Sequence, residues 1–180
     1  MSEVYLPSED SLFLLQLIEK KKANKVVEIG TGSGFVLKEY SKTAFFDLGV
    51  ATDIDIEAVR SARKRFVSDS RVEFILCEGC EAIRNSSLDF VFFNPPYLRG
   101  ESEQDKTIFG GESGTEVTRK FVAESVRVLR VDGEIVFVLS SLADWRGLLS
   151  ELKSDGLSIE CIGIRKLFFE RLLGFLVRQS

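Results

Sequence analysis

Short apolar runs bounded by turn residues alternate along this chain with longer segments of helical period, the pattern of a βαβ protein. Ser8 stands before a helix whose apolar positions are Leu12, Leu15 and Ile18. Lys25 to Ile29 reads as a buried strand that ends in a glycine turn, with a helix from about Phe35. Gly49 to Thr52 forms a second strand, and Ile56 to Val67, with Val59 and Ala62 inward, the next helix. Val72 to Leu76 and Leu88 to Phe93 give two more strands. A polar, glycine-rich stretch from Arg99 to Gly114 then breaks the alternation, and connections of that length tend to carry function. Thr115 to Leu129 has helical period through Val122, Val126 and Leu129; Glu134 to Leu139 reads as a strand and Leu142 to Leu152 as a helix. The tail is apolar or alternating over Leu157 to Ile164 and Leu172 to Val177. No long crossover separates these last two strands, so they pair antiparallel. The expected architecture is α/β: a mostly parallel seven-stranded sheet with an antiparallel closing strand, in a single domain over residues 1–180.

Composition narrows the chemistry. The 180 residues include 24 basic and 28 acidic side chains, a net charge of −4, and this balance argues against a dedicated nucleic-acid or membrane-surface binder. There is no histidine, which removes Ser-His-Asp and Cys-His hydrolases, histidine-ligated zinc and imidazole proton shuttles. Three cysteines are an odd number, and no apolar run is long enough to span a bilayer. The N-terminus has no basic and apolar leader. A cytoplasmic location follows as the expectation. Cys77 and Cys80 match Cys-x-x-Cys, but without a second pair or a histidine they cannot close a four-ligand metal site, so no metal is expected.

The first strand ends in Glu28-Ile29-Gly30-Thr31-Gly32-Ser33-Gly34. A dinucleotide fingerprint would place its third glycine at position 35, which is Phe35; here it comes one residue early. Glu-x-Gly-x-Gly-x-Gly is instead the S-adenosylmethionine pattern. That cofactor has no phosphate but carries a sulfonium and an amino group, so an acid such as Glu28 suits it; a tight structural turn is the plainer alternative. Asp53, at the end of the second strand, can accept both ribose hydroxyls, and Asp55 can cap the following helix. Glu78, after the third strand, either accepts from the adenine amino group or is a solvated surface acid.

The strand Leu88 to Phe93 delivers Asn94-Pro95-Pro96-Tyr97 to the carboxyl edge of the sheet. A conjugated NH₂ is planar and weakly nucleophilic. Two acceptors, the Asn94 side-chain oxygen and the Pro95 carbonyl, can hold both of its hydrogens and aim the nitrogen at a methyl donor. The prolines stiffen the turn, so the acceptors are preorganised. Tyr97 offers a flat wall for a planar amide or base. Read alone, Asn-Pro-Pro is a strand-terminating turn; following a glycine turn at this distance it points to methyl transfer without a general base.

These motifs, with Tyr5-Leu6-Pro7-Ser8-Glu9-Asp10-Ser11 before them and Gly110-Gly111-Glu112-Ser113-Gly114-Thr115-Glu116-Val117 after, resemble the HemK-type protein-glutamine N5-methyltransferases of class I translation release factors. The resemblance covers nearly the whole chain. It implies a Rossmann-like class I S-adenosylmethionine-dependent methyltransferase, with a helical segment over residues 1–24 packing across the cofactor site. Ser11, Glu28, Gly30, Thr31, Gly32, Gly34, Asp53, Glu78 and Asn94 are implied around the cofactor. Asn94, Pro95, Pro96 and Tyr97 are implied at the substrate amide, with Asn94, Pro95 and Tyr97 catalytic. Glu112 and Glu116 contact protein substrate or order the loop, and Glu116 alternatively caps the following helix. Bacterial members carry a further N-terminal helical domain, so the chain is similar to the compact archaeal and eukaryotic branch.

The implied substrate is the glutamine of a Gly-Gly-Gln loop in a release factor. Eukaryotic relatives work with a small zinc-binding activator subunit that covers an exposed apolar edge. Methylation of the adenine amino group in DNA or RNA is the main alternative, since the same tetrapeptide serves it. Yet the basic clusters Lys20-Lys21-Lys22 and Arg63-Lys64-Arg65 read as solvated faces, so no stable nucleic-acid binding is expected. Methylation of a lysine needs a base to remove a proton first, and none is evident.

Overall fold

The structure is a computed structural model that describes residues 8–100 and 109–179. The elements run α1 (Glu9–Ile18), β1 (Lys25–Ile29), α2 (Phe35–Thr43), β2 (Leu48–Asp53), α3 (Ile56–Arg65), β3 (Val72–Leu76), β4 (Leu88–Phe93), α4 (Glu116–Val128), β5 (Leu129–Ser140), α5 (Trp145–Ser154), β6 (Leu157–Lys166) and β7 (Arg171–Gln179). Residues 1–7 of the expected N-terminal segment and 101–108 of the expected loop lie outside the described residues.

The seven strands form one sheet in the order β3-β2-β1-β4-β5-β7-β6. β7 is antiparallel to both of its neighbours and every other pairing is parallel. The antiparallel strand is thus inserted between β5 and β6 rather than added at the rim.

The central strands are apolar on both sides because both sides are covered. Val27, Ile29, Val91, Phe93, Ile135 and Phe137 face α4 and α5, where Phe121, Val122, Leu148 and Leu152 are buried. The alternate positions Val26, Phe90, Phe92, Val136 and Val138 face α1 and α2 through Phe13, Leu14, Leu37 and Tyr40. Aromatic rings fill much of this volume. Phe93 stacks on Phe137 with centroids 5.4 Å apart and meets the edge of Phe121 at 5.5 Å.

The apolar face of α1 differs from expectation. Leu12 is 41% exposed, and the buried residues are Asp10, Ser11, Phe13, Leu14 and Ile18. The stripe therefore runs through positions 10, 13, 14 and 18, the spacing of one helix face, and it begins with a carboxylate. β5 also starts earlier than its apolar core suggests. Its first residues form an irregular segment with Asp132 at φ 67°, and Leu129 pairs with Leu88 before a register shift. α5 begins at Trp145 because Asp144 occupies the cap position and accepts from the Gly147 N–H.

Strand order reverses between β1 and β4: β2 and β3 follow on one side, β5 on the other. The loops leaving β1 and β4 therefore diverge and open a crevice at their carboxyl ends, where open α/β sheets bind ligands.

Candidate active site

A cleft of about 650 Å³ occupies that crevice. Its floor is the turn after β1, its walls are the ends of β2 and β3 and the Asn94–Tyr97 turn, and α1 and Phe109 close over it.

Glu28 is buried at the base, and Thr31 Oγ1 donates to its carboxylate at 2.6 Å. Burial dominates and pushes the carboxyl up to about 8, although the Thr31 hydroxyl works in the opposite direction. The turn is clamped to β2: Gly30 N–H and Thr31 N–H donate to the Thr52 carbonyl at 2.9 and 3.0 Å. Asp53 completes the clamp. One of its oxygens accepts from Gly32 N–H and the other from Asp55 N–H, each at 2.9 Å. Burial raises the Asp53 carboxyl, and these donors oppose that rise. Asp55 caps α3 by accepting from Glu57 N–H, and it also lines the cleft.

The early third glycine has a packing cause. Gly34 precedes α2 at φ 75°, and a Cβ there would sit 2.8 Å from the Cα and Cβ of Ala62 on α3. It is not among the lining residues; Gly30, Thr31 and Gly32 are.

Glu78 lines the cleft at its outer end, half-exposed, with its carboxylate 2.7 Å from Lys120 Nζ. Cys77 lines the same wall and Cys80 is buried behind it. Burial raises both thiols, Cys80 to about 12, so neither is a thiolate at neutral pH. Among the described residues no group of His, Cys, Asp or Glu could hold a metal ion.

At the β4 end, Asn94 Oδ1 is buried without a hydrogen-bond partner among the described residues. A buried amide oxygen left so costs free energy, on the order of 1–3 kcal/mol, unless a ligand satisfies it. Pro95 is buried beside it, and Pro96 and Tyr97 continue the lining. Tyr97 OH donates to Asp10 Oδ2 at 3.1 Å. The other oxygen of Asp10 accepts from Ser11 N–H at 2.7 Å and from the Ser8 hydroxyl. Asp10 thus ties α1 to the wall of the cleft, and Ser11 lines the cleft next to it.

The glycine-rich loop braces the turn from outside. A Cβ on Gly110 would lie 2.4 Å from the Pro96 carbonyl oxygen, and one on Gly114 2.5 Å from that of Tyr97. Glu116 accepts from the N–H groups of Ser113 and Thr115, each at 3.0 Å, so its carboxylate orders this loop at the start of α4. Glu112 is exposed, and neither it nor Glu116 lines the cleft.

Sequence reasoning passed over Asp10, Phe109 and Glu170. Asp10 alone carried a signal, as a charged residue on an apolar helix stripe. Together the lining holds six acids (Asp10, Glu28, Asp53, Asp55, Glu78 and Glu170) and, among the described residues, no Lys or Arg.

The methyltransferase small domain family matches residues 8–155. A Methanocaldococcus jannaschii protein, provisionally named a protein N5-glutamine methyltransferase, is 30% identical over 179 residues, covering 95% of this chain and 89% of its own length. The release factor glutamine methyltransferase of Bradyrhizobium diazoefficiens is 26% identical over 68% of this chain, which spans 46% of that protein. Among solved structures, the E. cuniculi Mtq2–Trm112 complex, responsible for methylating the eRF1 translation termination factor, superposes with a TM-score of 0.80 at 23% identity over 98% of this chain and 99% of that one. Among the described residues no helix is long and apolar enough to cross a membrane.

Proposed function

The chain belongs to the methyltransferase small domain family, and on that premise we propose that it N5-methylates the glutamine of the Gly-Gly-Gln motif in a class I translation release factor. The observation that carries this reading is the orphaned, buried Asn94 Oδ1 at the carboxyl end of β4.

The cleft suits S-adenosylmethionine. A cationic ligand favours ionisation of the buried Glu28, and no basic side chain of the described lining opposes it. A Cβ at Gly30 would meet no protein atom within 4 Å, so the backbone there faces open space that a ligand can fill. Glu28, Gly30, Thr31 and Gly32 would hold the amino acid end, Asp53 the ribose hydroxyls, and Glu78 the adenine amino group, with Ser11 covering the site from α1. When bound, the cofactor supplies an electrophilic methyl carbon on a sulfonium.

The rest is done by the chain's own groups. Asn94 Oδ1 and the Pro95 carbonyl accept the two N–H hydrogens of the substrate amide, which raises electron density on its nitrogen and fixes its direction. Tyr97, held by Asp10, stacks against the amide plane. The loop through Gly110 and Gly114 packs against the Pro96 and Tyr97 carbonyls, so this geometry exists before substrate arrives. Such positioning is worth about 7–11 kcal/mol where both reactants are aligned. Against polynucleotides stands the acidic lining, which repels phosphates.

Incubating the protein with labelled S-adenosylmethionine and a release factor, followed by mass spectrometry, is expected to place one methyl on the Gly-Gly-Gln glutamine. Label found in an oligonucleotide but not in the factor would overturn the assignment. Asp53→Ala is expected to weaken cofactor binding severalfold by calorimetry, and unchanged affinity would move the ribose contact elsewhere.

A small partner subunit fits the same reading. β3 is one of the two outermost strands and its outer edge has no strand neighbour among the described residues; Leu76 at its end and Ile54, just after β2, are 52% and 59% exposed. We place a zinc-binding activator of the Trm112 kind on that edge. Mixing the two chains is expected to give a single 1:1 peak in size-exclusion chromatography, lost in Leu76→Asp; separate peaks would refute the pairing.

A further inference from the structure

β6 runs in the same direction as β5, because β7 is antiparallel to both, so the β6–β7 turn projects from the carboxyl edge of the sheet, beside the cleft. This turn carries two of the most exposed large apolar side chains among the described residues, Phe168 at 92% and Phe169 at 86%. Their rings meet edge to face, with centroids 4.6 Å apart. Nothing in the fold of a hairpin requires adjacent phenylalanines in water, and twin exposed rings are costly unless they meet something. The tip is also well anchored. Leu167 N–H donates to the Glu170 carbonyl at 2.9 Å, and Arg171 N–H donates to Ser141 Oγ at 2.9 Å. Glu170 accepts from the Ser140 hydroxyl at the end of β5 and lines the cleft. A second hollow of about 340 Å³ lies along the turn, and Glu170 borders both it and the cleft.

From this adjacency we infer that the Leu167–Glu170 turn is a docking element for the protein substrate: Phe168 and Phe169 seat on its apolar surface beside the loop that carries the target glutamine. The inference rests on the glutamine-methyltransferase reading above and adds to it how a whole folded protein is recognised. A planar amide in the cleft engages only a few groups, too few to select one protein among many. An aromatic pair outside the cleft adds selection without touching the reacting atoms.

The test compares two substrates, a complete class I release factor and a short synthetic peptide that spans only Gly-Gly-Gln and its immediate neighbours. The double variant Phe168→Ser/Phe169→Ser is expected to raise the KM for the factor about tenfold or more, with kcat within twofold. Rates on the peptide and the cofactor Kd stay within twofold, and Phe168→Tyr/Phe169→Tyr regains most of the affinity. An unchanged KM for the factor overturns the docking element while leaving the function intact. Equal losses on factor and peptide overturn it too, since they mark damage to the cleft. A wild-type protein that methylates neither the factor nor the peptide overturns the function itself, and with it this inference.

Discussion

Asn94→Ala is expected to lower kcat for glutamine methylation by about 10³-fold or more while the cofactor Kd stays within about threefold. The asymmetry follows from geometry. Asn94 Oδ1 has no partner among the described residues, so removing it releases no other part of the fold, and only the substrate loses an acceptor. Removing a buried polar atom that lacks a partner also relieves its desolvation cost, so the variant is expected to melt no lower than the wild type. Single-turnover transfer measured beside calorimetry of cofactor binding separates the two effects. Turnover at wild-type rates would deny Asn94 its role.

The second large effect is a pH dependence. Glu28 is buried with its carboxyl pushed up to about 8, so the folded protein holds that proton more tightly than the unfolded chain does. This contribution to stability is fully present below about 4.5 and is lost as pH rises through about 8. Binding of a sulfonium cation runs the opposite way, because it draws on the ionised carboxylate. Affinity for S-adenosylmethionine is therefore expected to climb by up to about tenfold per pH unit between pH 6 and 8. Glu28→Gln should flatten this slope, bind the cofactor more weakly at pH 8, and raise the melting temperature of the cofactor-free protein at pH 9. Identical slopes in variant and wild type would show that Glu28 stays neutral beneath the ligand.

Much of this was legible in the chain. β1, β3 and β4 were read with their true ends, because each is an apolar run cut off sharply by glycine, cysteine–glutamate or asparagine–proline. The motif residues that line the cleft were legible for a related reason: in this topology the crevice opens at strand ends, and strand ends are marked in sequence. Errors arose where tertiary contacts overrode local pattern. On α1, Leu12 looked like core but faces outward, because the sheet takes the stripe led by Asp10. Gly34 reads like part of a cofactor loop, yet the demand on it comes from Ala62, 28 positions away on another helix. The link from Asp10 to Tyr97 spans 87 positions and no periodicity announces it. Glu170 likewise reaches the cleft only because β7 lies beside β5.

That placement of β7 bears on how the protein is made. On the ribosome, strands β1 to β5 can pair as they emerge, but β5 keeps a bare flank of Ile135, Phe137 and Leu139 backbone until residues 171–179 have been translated. Completion of the sheet thus waits for β7. A message cut short before Arg171 would yield a chain with an apolar strand open for pairing with its siblings, marked for clumping or disposal rather than slightly weakened.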